Sequence, residues 1–124
     1  MKRRILLVDD DLTVLLTLKA VLELHGFEVQ TAASAAEAIR ELEKGHFQLV
    51  ITDAHMETDD AGFRVIRAAR AQSNRPATAL LTAYPPSSTD WSDDGAVSLL
   101  VKPVGTQELV LKIEALLARH NRQN

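Results

Sequence analysis

Ile5-Leu6-Leu7-Val8-Asp9-Asp10-Asp11 is the stretch that decides the fold. Four aliphatic residues in a row are too few for a helix and apolar on both faces, the pattern of a strand buried in a parallel sheet. The run stops at three acids. Beyond them Val14, Leu15, Leu18, Val21 and Leu22 recur at helical spacing, with Asp11 as N-cap and Gly26 at the carboxyl end. Residues 27–32 alternate as a half-buried strand. Ser34 and Glu37 form a capping-box signature for a second helix, whose inner face is Ala35, Ala38, Ile39 and Leu42 and which Gly45 closes. Leu49-Val50-Ile51 repeats the first apolar run and ends at Thr52-Asp53. The acidic loop Glu57-Thr58-Asp59-Asp60 leads into a helix with Phe63, Ile66 and Ala69 on one face, Asp59 and Asp60 being its solvated start.

Residues 78–82 and 97–101 read as a fourth and a fifth strand. Between them Pro85-Pro86-Ser87-Ser88-Thr89 and Asp93-Asp94-Gly95 are turn formers, which leave room only for a short or irregular fourth helix. Trp91, within that segment, either packs locally or anchors a partner. Thr106 caps the last helix, with Glu108 near its positive end and Leu109, Ile113, Leu116 and Leu117 inward. Strands alternating with helices imply an α/β, doubly wound, five-stranded parallel sheet with five helices. The expected strand order is the flavodoxin-like 2-1-3-4-5, which sets strands one and three side by side at the switch point.

A chain of 124 residues is one domain, expected over residues 1–124 with a core of about 3–120. A net charge of -3 argues against a nucleic-acid binder. The absence of cysteine excludes a disulfide scaffold, a thiolate zinc site and a cysteine nucleophile. No apolar run approaches the ~20 residues of a membrane helix. Lys2-Arg3-Arg4 leads into only four apolar residues, which is not a signal peptide. A cytoplasmic protein is expected. No Gly-rich turn follows strand one, and three acids there would repel a pyrophosphate, so a dinucleotide site is disfavoured.

Ligands of such sheets bind beyond the carboxyl ends of the strands. Here strand one ends at Asp9-Asp10, strand three at Asp53, strand four at Thr82 and strand five at Lys102-Pro103. Three carboxylates in one pocket repel, at ~4 kcal/mol per pair for ~4 Å at an effective dielectric of ~20. A hard divalent cation relieves this, and Mg²⁺ favours carboxylates, waters and a phosphate. A metal, a lysine and a hydroxyl around a carboxylate suit phosphoryl transfer to that carboxylate.

Ile5-Leu6-Leu7-Val8-Asp9-Asp10-Asp11, Ile51-Thr52-Asp53, Leu80-Leu81-Thr82-Ala83 and Val101-Lys102-Pro103 resemble, in order and spacing, the motifs of two-component response-regulator receiver domains. The resemblance covers residues 3 to 120. It implies that Asp53 accepts a phosphoryl group from a phosphohistidine on a sensor kinase or phosphotransfer protein. It implies that Asp9 and Asp10 hold Mg²⁺, with Asp53 and the backbone carbonyl of His55 completing the protein ligands. Thr82 would turn toward the phosphoryl group, Lys102 would pair with it, and Pro103 would fix the following loop.

Four departures from the family stand out. Glu57 replaces a proline four positions after Asp53. Gly62 lies nine residues after Asp53, where the family glycine lies eight after. Leu99 stands where a tyrosine or phenylalanine often serves as a switch. The interval from Thr82 to Lys102 is short. His55 and Tyr84 fall where the family tunes phosphoryl lifetime, and both are expected at the pocket mouth. His25, His46 and His120 are expected to be solvated.

The expected function is a phosphorylation-controlled switch for a protein partner. It would be no enzyme beyond its own phosphotransfer and dephosphorylation. It would be a monomer or weak homodimer that contacts neither nucleic acid nor membrane. Two alternatives stay open: a degenerate receiver that binds partners without phosphorylation, and an Mg²⁺-dependent aspartyl phosphohydrolase with His55 as general acid.

Overall fold

A computed structural model of the chain describes residues 3–54, 56–58, 60–82, 97–101 and 105–123. The elements run β1 (Arg4–Val8), α1 (Leu12–Leu24), β2 (Glu28–Ala32), α2 (Ala35–Lys44), β3 (Leu49–Asp53), α3 (Ala61–Arg70), β4 (Ala77–Thr82), β5 (Val97–Val101) and α4 (Thr106–Gln123). The strands form one parallel sheet in the order β2-β1-β3-β4-β5. The described residues hold four helices rather than five; the short fourth helix expected before β5 falls on residues 83–96, outside them.

The side-chain alternation of β1 explains its unbroken apolar run. Ile5 and Leu7 point to one face, where they meet Leu15, Leu18 and Leu22 of α1 and Leu109, Ile113, Leu116 and Leu117 of α4. Leu6 and Val8 point to the other, against Ala35, Ala38 and Leu42 of α2 and Ala61, Val65 and Ala69 of α3. A strand covered on both sides has no face left for polar residues. The four β1 aliphatics are fully buried. Each contributes about 1.5–3 kcal/mol relative to exposure.

Local signals account for most helix ends. Asp11 Oδ1 accepts the Thr13 and Val14 N–H groups at 2.9 and 3.4 Å. At the other end of α1, Gly26 takes φ +91°, the Gly26 N–H donates to the Glu23 carbonyl and the Phe27 N–H to the Leu22 carbonyl, both at 3.1 Å. That left-handed turn brings buried Phe27 back beside Leu22. Ser34 Oγ accepts the Glu37 N–H at 3.1 Å, but Glu37 Oε2 accepts from Ala33 rather than completing the expected box on Ser34. In α4 the Gly105 carbonyl accepts the Leu109 N–H at 2.9 Å, so Gly105 holds the cap position expected of Thr106. Phe63 and Ile39 are only partly buried, and Val65, absent from the expected face of α3, is fully buried. His120 is more than a solvated residue: its Nε2 lies 2.7 Å from the Arg75 carbonyl, tying α4 to the turn before β4.

Candidate functional site

Sheet register brings the site together. Val8 stands opposite Ala32 on one side and Thr52 on the other, so Asp9 lies one step past the ladder, level with Asp53. Asp53 in turn stands opposite Leu81, and Thr82 opposite Val101. The carboxyl ends of β1, β3, β4 and β5 therefore share one edge. Asp9, Asp10 and Asp53 each bring a carboxylate oxygen within 4.8 Å of the others.

The three consecutive acids divide their tasks. Asp9 is fully buried; its N–H donates to the Ala32 carbonyl at 3.1 Å, and its Oδ1 accepts the Asp11 N–H at 2.9 Å. Asp10 is exposed at the mouth. Asp11 turns away to cap α1. Asp53 is buried at 8% exposure and Thr82 at 2%. Thr52 Oγ1 donates to the Asp53 carbonyl at 3.0 Å, and the Ala54 N–H continues the ladder onto the Leu81 carbonyl at 3.2 Å. The β3 backbone is thus fixed right up to Asp53 and one residue past it.

Gly62 fits this strand end despite its shifted spacing. Its N–H donates to the Ala54 carbonyl at 3.1 Å. A Cβ there would stand 2.4 Å from the Asp53 carbonyl oxygen and 2.7 Å from the Ala54 Cα. Only a glycine lets α3 start this close to the Asp53–Ala54 backbone. The extra residue before Gly62 is absorbed in the loop, where the Thr58 carbonyl accepts the Met56 and Ala61 N–H groups at 3.2 and 3.3 Å. The Thr58 hydroxyl donates to Asp60 Oδ1 at 2.6 Å. That bond holds the Asp60 carboxyl below its ordinary range, with smaller help from its own backbone, Arg64 and Arg67. Asp60 is exposed at the start of α3 and makes no side-chain cap bond.

Glu57 is the residue whose role the sequence does not show. Its Oε2 and Oε1 accept the Ala35 N–H, the first of α2, at 3.0 and 3.3 Å. A carboxylate four residues past Asp53 was the available signal; the partner is set only by tertiary packing. Of the remaining expected site residues, His55, Tyr84, Lys102 and Pro103 lie outside the described residues, as do Asp59 and Trp91. Leu99 occupies β5 opposite Leu80.

The donor set is hard oxygen, with one fully buried carboxylate and one exposed, and it fits a Mg²⁺ ion that keeps several waters.

A parallel 2-1-3-4-5 sheet with acids from β1 and β3 meeting at its carboxyl edge defines the receiver class of signalling domain. The response regulator receiver domain model matches residues 5–114, and the chain belongs to that family. It is 40% identical over 120 residues to the transcriptional regulatory protein PrrA of Mycobacterium bovis, covering 94% of this chain and 50% of that protein. It is 33% identical to the transcriptional regulatory protein BasR of Escherichia coli, with 97% and 54% covered. The chain thus spans about half the length of these curated relatives. Among solved structures it resembles a CheY-like receiver domain from Methanospirillum hungatei, with TM-score 0.89, 29% identity and complete coverage of both chains. It also resembles the response regulator TrrA of Thermotoga maritima in complex with Mg²⁺ and BeF, with TM-score 0.79, 32% identity and 92% and 98% covered.

No helix among the described residues is long and apolar enough to cross a membrane.

Proposed function

We propose that this chain accepts a phosphoryl group on Asp53 and that the modification switches a protein-binding surface. The observation that carries this reading is the meeting of Asp53 with Asp9 and Asp10 within 4.8 Å at the carboxyl edge of the sheet. The donor is a phosphohistidine on a sensor histidine kinase or phosphotransfer protein. An Asp53 carboxylate oxygen attacks phosphorus as the phosphorus–nitrogen bond breaks. The imidazole leaves neutral, its other nitrogen having taken a proton from solvent, and an acyl phosphate remains on Asp53.

Asp9, Asp10, Asp53 and the His55 carbonyl would hold Mg²⁺, which supplies positive charge to the transferring oxygens when bound. Burial of Asp53 and Thr82 keeps water from the acyl phosphate. The Thr82 hydroxyl donates to one phosphoryl oxygen and Lys102 pairs with another. His55 and Tyr84 would set the lifetime of the phosphoryl group, as their spacing from Asp53 and Thr82 suggests. The complex of TrrA with Mg²⁺ and BeF supports the same occupancy here. The reading further places the domain in the cytoplasm, as a monomer or weak homodimer. It acts on no substrate but itself and has no direct contact with nucleic acid. With leucine at position 99, the switch does not depend on an aromatic rotamer.

Intact mass after incubation with a small phosphodonor and Mg²⁺ tests this. A labile gain of one phosphoryl group is expected, absent in Asp53→Ala and in a chelated sample. No gain in the unaltered chain at any donor concentration, even with its cognate kinase, would leave the degenerate receiver in its place.

A further inference from the structure

The loop between β3 and α3 carries the backbone expected to complete the metal site, and two adjacent side chains pin it. Met56 is partly buried against the α2–α3 side of the core. Glu57, although exposed as a residue, sets both carboxylate oxygens on the Ala35 N–H. Ala35 is fully buried, and its N–H, at the first position of α2, has no partner within its own helix. A carboxylate there meets both an orphan donor and the positive end of the helix dipole. Two neighbouring donors have other partners: the Glu37 N–H is taken by Ser34 Oγ, and the Ala33 N–H by Glu37 Oε2. Glu57 therefore supplies the hydrogen-bonded contact of this loop to α2, beside the apolar packing of Met56.

We infer that Glu57 is a positioning residue for the metal site: its tether to α2 fixes residues 56–58 against that helix before Mg²⁺ arrives. A proline at this position would stiffen the loop through its own ring. Glu57 instead stiffens it through a partner on another element. A loop that is only partly ordered weakens apparent affinity by the fraction ordered. The inference rests on the receiver reading above.

The test uses the full chain with Glu57→Ala and Glu57→Gln. Three readouts apply: amide hydrogen exchange at Ala35 in chelator, the Mg²⁺ dissociation constant, and phosphoryl uptake from a small donor across Mg²⁺ concentrations. In Glu57→Ala, exchange at Ala35 should accelerate and Mg²⁺ affinity should fall by up to about fivefold, the range a helix-terminal carboxylate gives. Uptake should slow at low Mg²⁺ and recover at saturation, a split that general loss of folding would not produce. Glu57→Gln keeps an acceptor and should recover most of the affinity. Unchanged exchange at Ala35, unchanged Mg²⁺ affinity, or equal losses in the two variants would each overturn the tether while leaving the receiver reading intact. An unaltered chain that takes up neither Mg²⁺ nor phosphoryl would sink both.

Discussion

The two edges of the sheet handle charge in opposite ways. At the amino edge the described residues Arg3 and Arg4 have each met a complement. The Arg3 guanidinium lies 4.6 Å from the centre of the Phe27 ring and pairs with Glu114. The Arg4 guanidinium lies 4.6 Å from the centre of the Phe47 ring, donates to the His46 carbonyl at 3.2 Å and pairs with Glu28 at 3.4 Å. Asn74 Nδ2 donates to the Phe47 carbonyl at 2.8 Å. At the carboxyl edge three like charges converge within 4.8 Å. At that separation each pair costs about 3 kcal/mol for an effective dielectric near 20. One edge holds its charges in pairs, and the other gathers like charges whose repulsion a cation would relieve. The glycines show the same division: a Cβ on Gly45 would meet only the end of the Arg4 side chain, at 2.7 Å, whereas one on Gly62 would meet the backbone of the acceptor.

Gly62→Ala should break the carboxyl edge most severely. The neighbouring backbone cannot give way as a flexible side chain can, so urea denaturation should show a loss of about 3 kcal/mol or more. Gly45→Ala should be far milder, because Arg4 can swing aside. Arg4→Ala should cost about 1–2 kcal/mol, mainly through lost packing and the ring contact. High salt should change that loss little, which sets it apart from Glu114→Gln, whose cost should stay below about 1 kcal/mol and fade with salt. Asp11→Ala should lose about 1 kcal/mol of cap stability without weakening Mg²⁺ binding much, separating it from Asp9 and Asp10 beside it.

The smallest effect concerns Asp60. Its folded pKa lies below that of an ordinary aspartate, so its contribution is present above the ordinary value and is lost as pH falls through the folded pKa. Thr58→Ala should return the Asp60 titration, followed by carboxyl NMR shifts, toward the ordinary value.

Much of this was legible in the sequence because period and termination carry it. The doubly apolar β1 run, the cap at Asp11, Gly26 and the inward face of α4 are local patterns, and they stand where the spacing put them. The convergence of Asp9, Asp10 and Asp53 was legible one step further, since parallel order and strand ends together place the acids. What was not legible depends on contacts between distant elements. Nothing in the spacing of Gly62 shows that α3 starts against the Asp53 carbonyl. Nothing near Glu57 shows that its partner is Ala35, 22 residues earlier. His120 looked solvated because its acceptor, the Arg75 carbonyl, is 45 residues away.

The most direct measurement is urea denaturation of the unaltered chain and Asp53→Asn, each with chelator and with saturating Mg²⁺. In chelator, Asp53→Asn should be the more stable by about 1–2 kcal/mol, less than the gross repulsion because Asp10 is solvated. Mg²⁺ at 100 times its dissociation constant should stabilise the unaltered chain by about 2.7 kcal/mol and the variant by much less. Equal stabilisation of both proteins by Mg²⁺, or a variant less stable than the unaltered chain in chelator, would contradict a carboxyl edge built around charge that a cation relieves.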